Sequence, residues 1–356
     1  MSEKICLGVI FGGQSSEHEV SLMSAGSILK NLDTEKYQIY PVGITKEGRW
    51  LLYEGPVSGL ADGSWPQNST PAFLAPDPSI HGLVADGGKI IRLDCLLPAL
   101  HGKNGEDGSI QGLFQLSGIP YVGCGVLSSA ACMDKAVTHT LLSAGDIPQA
   151  HYLWFYSQRY EVAPETIHNK IQARLNFPVF VKPANAGSSV GVSKVEAPEE
   201  LDAAIKKAAR EDGKVVVEEG VQGQEVECAV LGSRVDAKAS MIGEIGASAQ
   251  FYDYDDKYIN GTSQLYIPAR IPETVAEEIR ETALRAYRLM GCQGLARVDF
   301  FVTPENKVVL NEINTLPGFT SISMYPKLWM AEGYSYGELL DRLVELALER
   351  AGNPHG

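Results

Sequence analysis

The segment from Gly294 to Thr320, GLARVDFFVTPENKVVLNEINTLPGFT, constrains this chain more than any other stretch. Two apolar runs flank a turn containing Pro304 and Asn306, the pattern of a β-hairpin. Side chains alternate faces along a strand, so Arg297 and Asp299 share one face, as do Glu312 and Asn314 on the return strand. With a loop from Pro304 to Lys307, Asp299 stands opposite Glu312 and Arg297 opposite Asn314. Two carboxylates about 4 Å apart repel by about 4 kcal/mol at the effective dielectric of a protein site, so the pair calls for a cation. Oxygen-only ligands of this kind suit magnesium or manganese, which keep waters and share substrate phosphates. The plainer alternative is a set of cross-strand polar pairs on a solvated sheet face. The loop that follows, Asn314-Thr-Leu-Pro-Gly318, favours a site, because its glycine lets backbone N–H groups approach a ligand closely.

RVDFF followed by NEINTLPGFTSIS resembles the metal-binding signature of ATP-grasp carboxylate–amine ligases, and specifically of the D-alanine:D-alanine ligases. The resemblance runs from Gly12 to about Pro326 as five motifs in the family order. It implies an α/β chain of the ATP-grasp fold in three domains. These are a Rossmann-like parallel sheet over 1–123, a small central domain over 124–221, and a C-terminal domain over 222–356 that carries the metal hairpin. It further implies ATP with two magnesium ions, or manganese, as cofactors, D-alanine as substrate, and a homodimer.

Composition agrees with a chain of this kind. At 356 residues, 44% hydrophobic and 21% charged, it is long enough for two or three cored domains. A net charge of -14 argues against nucleic acid or an anionic membrane as partner, and requires any polyphosphate site to be made positive locally. The six cysteines lack CxxC spacing and the seven histidines lack HExxH, so neither a disulfide framework nor a zinc site is indicated. MSEKICLGVIFGG reads as a first strand rather than a signal peptide, and no apolar run reaches bilayer length. The expected compartment is the cytoplasm.

In chain order, Ile5 to Phe11 is a strand, Gly12-Gly13-Gln14-Ser15 a turn, and Ser16 to Glu19 a capping box opening a helix to about Leu32. That geometry suits an anion, but the full GxGxxG spacing is absent, which disfavours a dehydrogenase. The family motif GGxSxEHEVSL makes Glu17 a holder of the first D-alanine; read alone, it is equally a helix-capping acid. Tyr37 to Thr45 and Lys89 to Leu100 read as two further strands of a parallel sheet, with an unassigned Pro/Gly/Ser-rich stretch from Gly55 to Gly88 between them. HGKNGEDG, at the end of the last of these strands, implies by resemblance that His101 lies near the substrate.

Leu127 to Ala144 reads as helical. Phe177 to Pro183 is a strand ending in Lys182, and Ala186 to Gly191 a glycine and serine loop that offers N–H donors to phosphate without the order of a P-loop. By resemblance, Lys135 and Lys182 hold nucleotide phosphates, and the loop carries Ser188 to the substrate. Glu218 and Val221 meet the adenine and Glu225 the ribose; Gly220 departs from the bulky residue usual in the family. The loop from Phe251 to Tyr258, dense in tyrosine, suits a lid, with Lys257 at the transferred phosphate and Tyr258 latching Ser188 and Glu17. Asp299, Glu312 and Asn314 would hold the metal ions, Arg297 and the Gly318 N–H would stabilise an oxyanion, and Ser323 and Met324 would read the second amino acid. An apolar Met324 fits a methyl group, so D-alanyl-D-alanine is the expected product. The alternatives are D-serine or D-lactate as second substrate, or a catalytically silent nucleotide sensor.

Overall fold

The computed structural model describes residues 4–246 and 264–352. The first unit is formed by β1 (Ile5–Gly12), α1 (His18–Asn31), β2 (Tyr37–Ile44), β3 (Trp50–Tyr53), α2 (Ser58–Ala61), β4 (Ser69–Leu74), β5 (Gly82–Ala85), β6 (Ile90–Arg92), β7 (Cys95–Pro98) and α3 (Ser109–Ser117). Then follow α4 (Val126–Met133), α5 (Lys135–Ala144), β8 (Tyr152–Tyr156), α6 (Ser157–Val162), α7 (Pro164–Arg174), β9 (Val179–Pro183), β10 (Ser193–Val195), α8 (Leu201–Glu211) and β11 (Lys214–Glu219). The last unit contains β12 (Gln224–Gly232), β13 (Ala237–Gly246), β14 (Gln264–Tyr266), α9 (Glu273–Leu289), β15 (Gly294–Val302), β16 (Val308–Asn314), α10 (Met324–Ala331) and α11 (Tyr336–Gly352).

Three sheets result. The first has the order β6-β5-β4-β3-β2-β1-β7, and only β2, β1 and β7 run parallel. The parallel sheet expected is present in β2, β1 and β7, and an antiparallel meander from β3 to β6, whose strands β4 and β5 come from the stretch left unassigned, extends it into a mixed one. The short connections from β4 to β5 and from β5 to β6 reach only an antiparallel neighbour, because a parallel one needs a crossover element. Lys89 to Leu100 is likewise two strands, not one. The chain leaves β6 at Leu93, and Asp94 fixes the start of β7 by accepting from the Cys6 N–H at 2.7 Å and donating its own N–H to the Cys6 carbonyl at 2.8 Å.

The capping box at Ser16 does not form. The helix starts at His18, and Glu17 at its N-cap makes no side-chain bond to the helix. Ser15 Oγ accepts from the Glu17 N–H at 3.1 Å, and Glu19 pairs with Lys46 at 2.7 Å. The Glu17 carboxylate is engaged elsewhere. The helical run through Leu127 to Ala144 is also broken, at Asp134, whose extended backbone ends α4 and whose side chain caps α5 by accepting from Val137 at 3.1 Å.

The second sheet, β10-β9-β11-β8, is covered by α7 and α8. The third, β14-β13-β12-β15-β16, has two distinct faces. Val226, Cys228, Val230, Val298 and Phe300 point to one face and pack with α9 in a single core. The residues between them, Glu225, Glu227, Arg297 and Asp299, therefore point to the other. On that second face Ala229, Leu231 and Leu295 are covered by α10 and α11, which also bury the β1 side of the first sheet through Leu7, Val9 and Phe11. The last helices thus hold the first and third sheets together around a charged strip. Among the described residues no helix is long and apolar enough to cross a membrane.

Candidate active site

The hairpin of β15 and β16 pairs Arg297 with Asn314 and Asp299 with Glu312, the register expected. It reaches that register by a route the sequence did not reveal. Next to the turn Val302 faces Val308 and Phe300 faces Leu310, and a bulge at Asn311 then shifts the ladder by one residue. On its other side, Asp299 faces Glu227 of β12. Glu227, Asp299 and Glu312 form a row of carboxylates across three adjacent strands, on one face.

Arg297 is the cation inside this row. Its Nε and Nη2 donate to Asp299 Oδ1 and Oδ2, each at 2.7 Å, and Nε lies 2.9 Å from Glu227 Oε2. Asn314 Nδ2 donates to Asp299 Oδ2 at 3.0 Å. Burial works against the guanidinium charge, but Asp299 and Glu227 outweigh it and raise the Arg297 pKa well above its usual value. Three acids against one arginine leave the strip short of positive charge. Among the described residues no three His, Cys, Asp or Glu side chains are grouped closely enough to enclose an ion by themselves. Two carboxylates and an amide on paired strands nevertheless fit magnesium or manganese, which bind through one or two carboxylates and complete their shell with water and phosphate.

Two lysines gather beside the strip, Lys135 of α5 near Glu312 and Lys182 of β9 near Lys135. Lys135, released by the break at Asp134, opens α5 and donates its Nζ to the Ala186 carbonyl at 2.8 Å. Burial lowers its pKa against the pull of Glu312, and the nearby Lys182 lowers it further. Lys182 on β9 donates to Glu218 Oε2 at 2.6 Å, and Glu218 Oε1 lies 2.9 Å from His139 Nε2. His139 is bonded to Gln149 at 2.6 Å and stacked on Tyr152 with ring centroids 4.3 Å apart. Burial alone would raise the Glu218 pKa, but Lys182 and His139 together hold it well below the usual carboxylate range.

A third group gathers on Glu17. Ser188 Oγ donates to Glu17 Oε1 at 2.5 Å. Ser188 and Ser189 take left-handed backbone angles, with φ of 47° and 58°, a conformation uncommon outside glycine and asparagine that marks a constrained loop. A Cβ on Gly187 would meet Glu17 Oε2 at 2.7 Å, and one on Gly102 would meet it at 2.2 Å. Only glycine at both positions lets the two loops close on this carboxylate. His101 is buried beside them, its Nε2 2.9 Å from Ser24 Oγ and its Nδ1 3.4 Å from Glu106. Ser24 Oγ also accepts from the Phe319 N–H at 3.3 Å, which ties the loop of Gly318 to α1. Ser323 Oγ accepts from the Thr320 N–H at 3.0 Å and steadies the other end of that loop.

Comparisons with known proteins agree with one another. Residues 6–124 match the family model described as the D-ala D-ala ligase N-terminus, and residues 141–345 match the D-ala D-ala ligase C-terminus. The chain belongs to the D-alanine–D-alanine ligase family. The D-alanine–D-alanine ligase of Caldicellulosiruptor bescii is 50% identical over 351 residues, 98% of this chain and 96% of that one. That of Acetivibrio thermocellus is 49% identical over 367 residues, 98% of this chain and 97% of its own. Among solved structures, the VanG D-Ala:D-Ser ligase from Enterococcus faecalis superposes with a TM-score of 0.89 at 42% identity, covering 97% of this chain and all (100%) of its own. The D-alanine–D-alanine ligase from Coxiella burnetii gives 0.86 at 38% identity, covering 99% and 96%. The fold is the ATP-grasp fold of that family.

Of the residues that a D-alanine–D-alanine ligase is expected to use, the structure brings Arg297, Asp299, Glu312 and Asn314 together on the hairpin. Lys135, Lys182 and Glu218 join them through the central unit, and Glu17, Ser188 and His101 gather at the first sheet. Val221 and Glu225 are half-buried where β11 passes to β12. A Cβ on Gly220 would stand 3.3 Å from the Phe180 ring and 2.9 Å from the Pro178 carbonyl, so there is little room for a larger residue at that point. Met324 is 5% exposed and part of the core, its sulfur seated over Gly243, where a Cβ would approach it to 2.6 Å. Lys257 and Tyr258 lie outside the described residues. Three participants escaped sequence reading. Ser24 carries no local signal, whereas His139 lies four residues after Lys135 on one helix face, and Glu227 two residues after Glu225 on one strand face.

Proposed function

We propose that the chain joins two D-alanine molecules into D-alanyl-D-alanine at the expense of ATP, as a cytoplasmic homodimer that supplies a peptidoglycan precursor. The observation that carries the reading is the row of acids threaded by Arg297 and faced by Lys135. Three units, 1–123, 124–221 and 222–356, divide the labour, and ATP lies between the second and third. Glu218 and Val221 receive the adenine, Glu225 the ribose, and Lys135, Lys182 and Lys257 the phosphates. Glu218 is the counter-ion of Lys182, so a phosphate that draws off the lysine leaves the carboxylate for the adenine amine.

Glu17, with His101 beside it, fixes the ammonium of the first D-alanine, and the bond from Ser188, with Tyr258, latches the loop over it. Joining a carboxylate to an amine in water is uphill, and a carboxylate is a poor electrophile. The carboxylate of the first D-alanine therefore attacks the γ-phosphorus, ADP leaves, and a D-alanyl phosphate remains. The amine of the second D-alanine, seated by Ser323 over a floor shaped by Met324, attacks the carbonyl. Arg297 and the Gly318 N–H stabilise the tetrahedral oxyanion, and phosphate departs. Asp299, Glu312 and Asn314 would hold two magnesium ions or manganese, which when bound neutralise the charge of the phosphates. Most of the rate then comes from positioning and electrostatics.

A panel of second substrates with phosphate detection tests this reading. D-alanine should exceed D-serine and D-lactate in kcat/KM by about tenfold or more, D-serine because an apolar floor leaves its added hydroxyl unpaired, and D-lactate because a hydroxyl stands where the attacking amine should be. Equal or better kcat/KM with D-serine or D-lactate would refute it and make that compound the second substrate, D-serine being the one named for the similar VanG ligase.

A further inference from the structure

Glu227 is 5% exposed in a sheet interior and belongs to none of the roles assigned above. In β12 it faces Asp299 on one side and Gly243 on the other. Gly243 has no side chain, and the space above it is filled by the Met324 thioether. The carboxylate thus has an apolar flank toward Met324 and a charged flank toward Arg297, and the apolar flank strengthens the charge contact on the other side.

Asp299 is asked to do two things. Both of its oxygens accept N–H bonds from Arg297, and Oδ2 accepts a further one from Asn314. A divalent ion drawn to Asp299 competes for the same lone pairs and repels the guanidinium. If Asp299 were the sole anchor, loading the ion would release Arg297 when the developing oxyanion needs it. Glu227 Oε2 stands 2.9 Å from the very Nε that now donates to Asp299 Oδ1, so a small rotation of the guanidinium transfers the bond with no movement of the backbone.

We infer that Glu227 is a positioning residue that takes over Arg297 when Asp299 turns to the metal ion, keeping the guanidinium at the reacting carbonyl. This rests on the roles proposed for Asp299 and Arg297. It predicts a thermodynamic coupling between Glu227 and Arg297 that is visible in metal binding without turnover.

The test titrates the full chain with Mn2+, following free ion by electron paramagnetic resonance, for wild type, Glu227→Gln, Arg297→Met and the double variant. Without Glu227 the guanidinium leans wholly on Asp299 and competes harder with the ion, so Mn2+ should bind about fivefold more weakly in Glu227→Gln. In the Arg297→Met background the same change should have no effect. In the steady state Glu227→Gln should lower kcat by about tenfold or more while KM for ATP stays within about twofold, a split that a merely structural residue would not give. If Glu227→Gln does not accumulate folded, Glu227→Asp keeps the charge but withdraws it by one methylene, and about a threefold weakening is expected. Unchanged Mn2+ affinity in the single variant, or equal weakening with and without Arg297, overturns the inference. A wild type that binds no Mn2+ and cleaves no ATP with D-alanine present sinks the proposed function itself. An active wild type whose Mn2+ affinity ignores Glu227 sinks only the inference.

Discussion

Glu312→Gln should lower kcat by about a thousandfold, about 4 kcal/mol of transition-state stabilisation, while the protein stays folded. Glu312 is half-buried opposite Asp299, and the amide is isosteric with the carboxylate it replaces. The change removes one charge from a row of three acids, which relieves repulsion and leaves Arg297 bonded to Asp299 and near Glu227. The melting temperature should change little, because the relief is offset by the loss of the pull that Glu312 exerts on Lys135. Charge near the triphosphate is what the reaction needs, so catalysis should fall where stability does not. Near-normal kcat in a folded Glu312→Gln protein would remove Glu312 from the metal site.

Glu218→Gln should have the largest effect on stability, with a pH dependence of definite sign. Glu218 is buried between Lys182 and His139, and removing one charge of a buried pair strands the other at a cost of about 3 kcal/mol. Its carboxyl is held below the ordinary value of 4.5, so in the folded state it releases its proton more readily than in the unfolded state. A group depressed in this way contributes stability that is fully present above its unfolded pKa and is lost as pH falls through the folded one. The gap in denaturant midpoint between wild type and Glu218→Gln should be widest near neutrality and narrow as pH drops below 4.5. A gap that stays constant or widens in acid would mean that the ion pair does not set the shift. The KM for ATP should rise in the same variant.

The parts of this molecule that could be read in advance are those whose information is local. The hairpin of β15 and β16 is carried by alternation and a turn within a single segment, and its site register came out as expected even though the bulge at Asn311 was not foreseen. The meander from β3 to β6 was not legible, since its strands are short and their pairing depends on turns with no single strong signal. At Ser16 a sound local rule failed: the helix starts at His18, Glu19 pairs with Lys46 instead of closing the box, and the Glu17 side chain accepts from Ser188, more than a hundred residues away.

The site divides in the same way. The faces of Arg297, Asp299, Glu312 and Asn314 follow from strand periodicity alone. Glu17, His101 and Ser188 were legible only by resemblance, because loops from distant parts of the chain close on one carboxylate, and no spacing in the sequence encodes that closure. Glu227 shows the limit from the other side. Its face could be read from that of Glu225, yet its meeting with Arg297 belongs to a strand pairing between distant segments.

The most direct test of the account follows an oxygen atom. With D-alanine labelled by 18O in both carboxylate oxygens, attack on the γ-phosphorus and later release of phosphate move one labelled oxygen into inorganic phosphate for each dipeptide formed, the other remaining in the new peptide carbonyl. Mass spectrometry of the phosphate should find that single label in wild type. Phosphate free of label while D-alanyl-D-alanine accumulates would contradict carboxylate activation at this site.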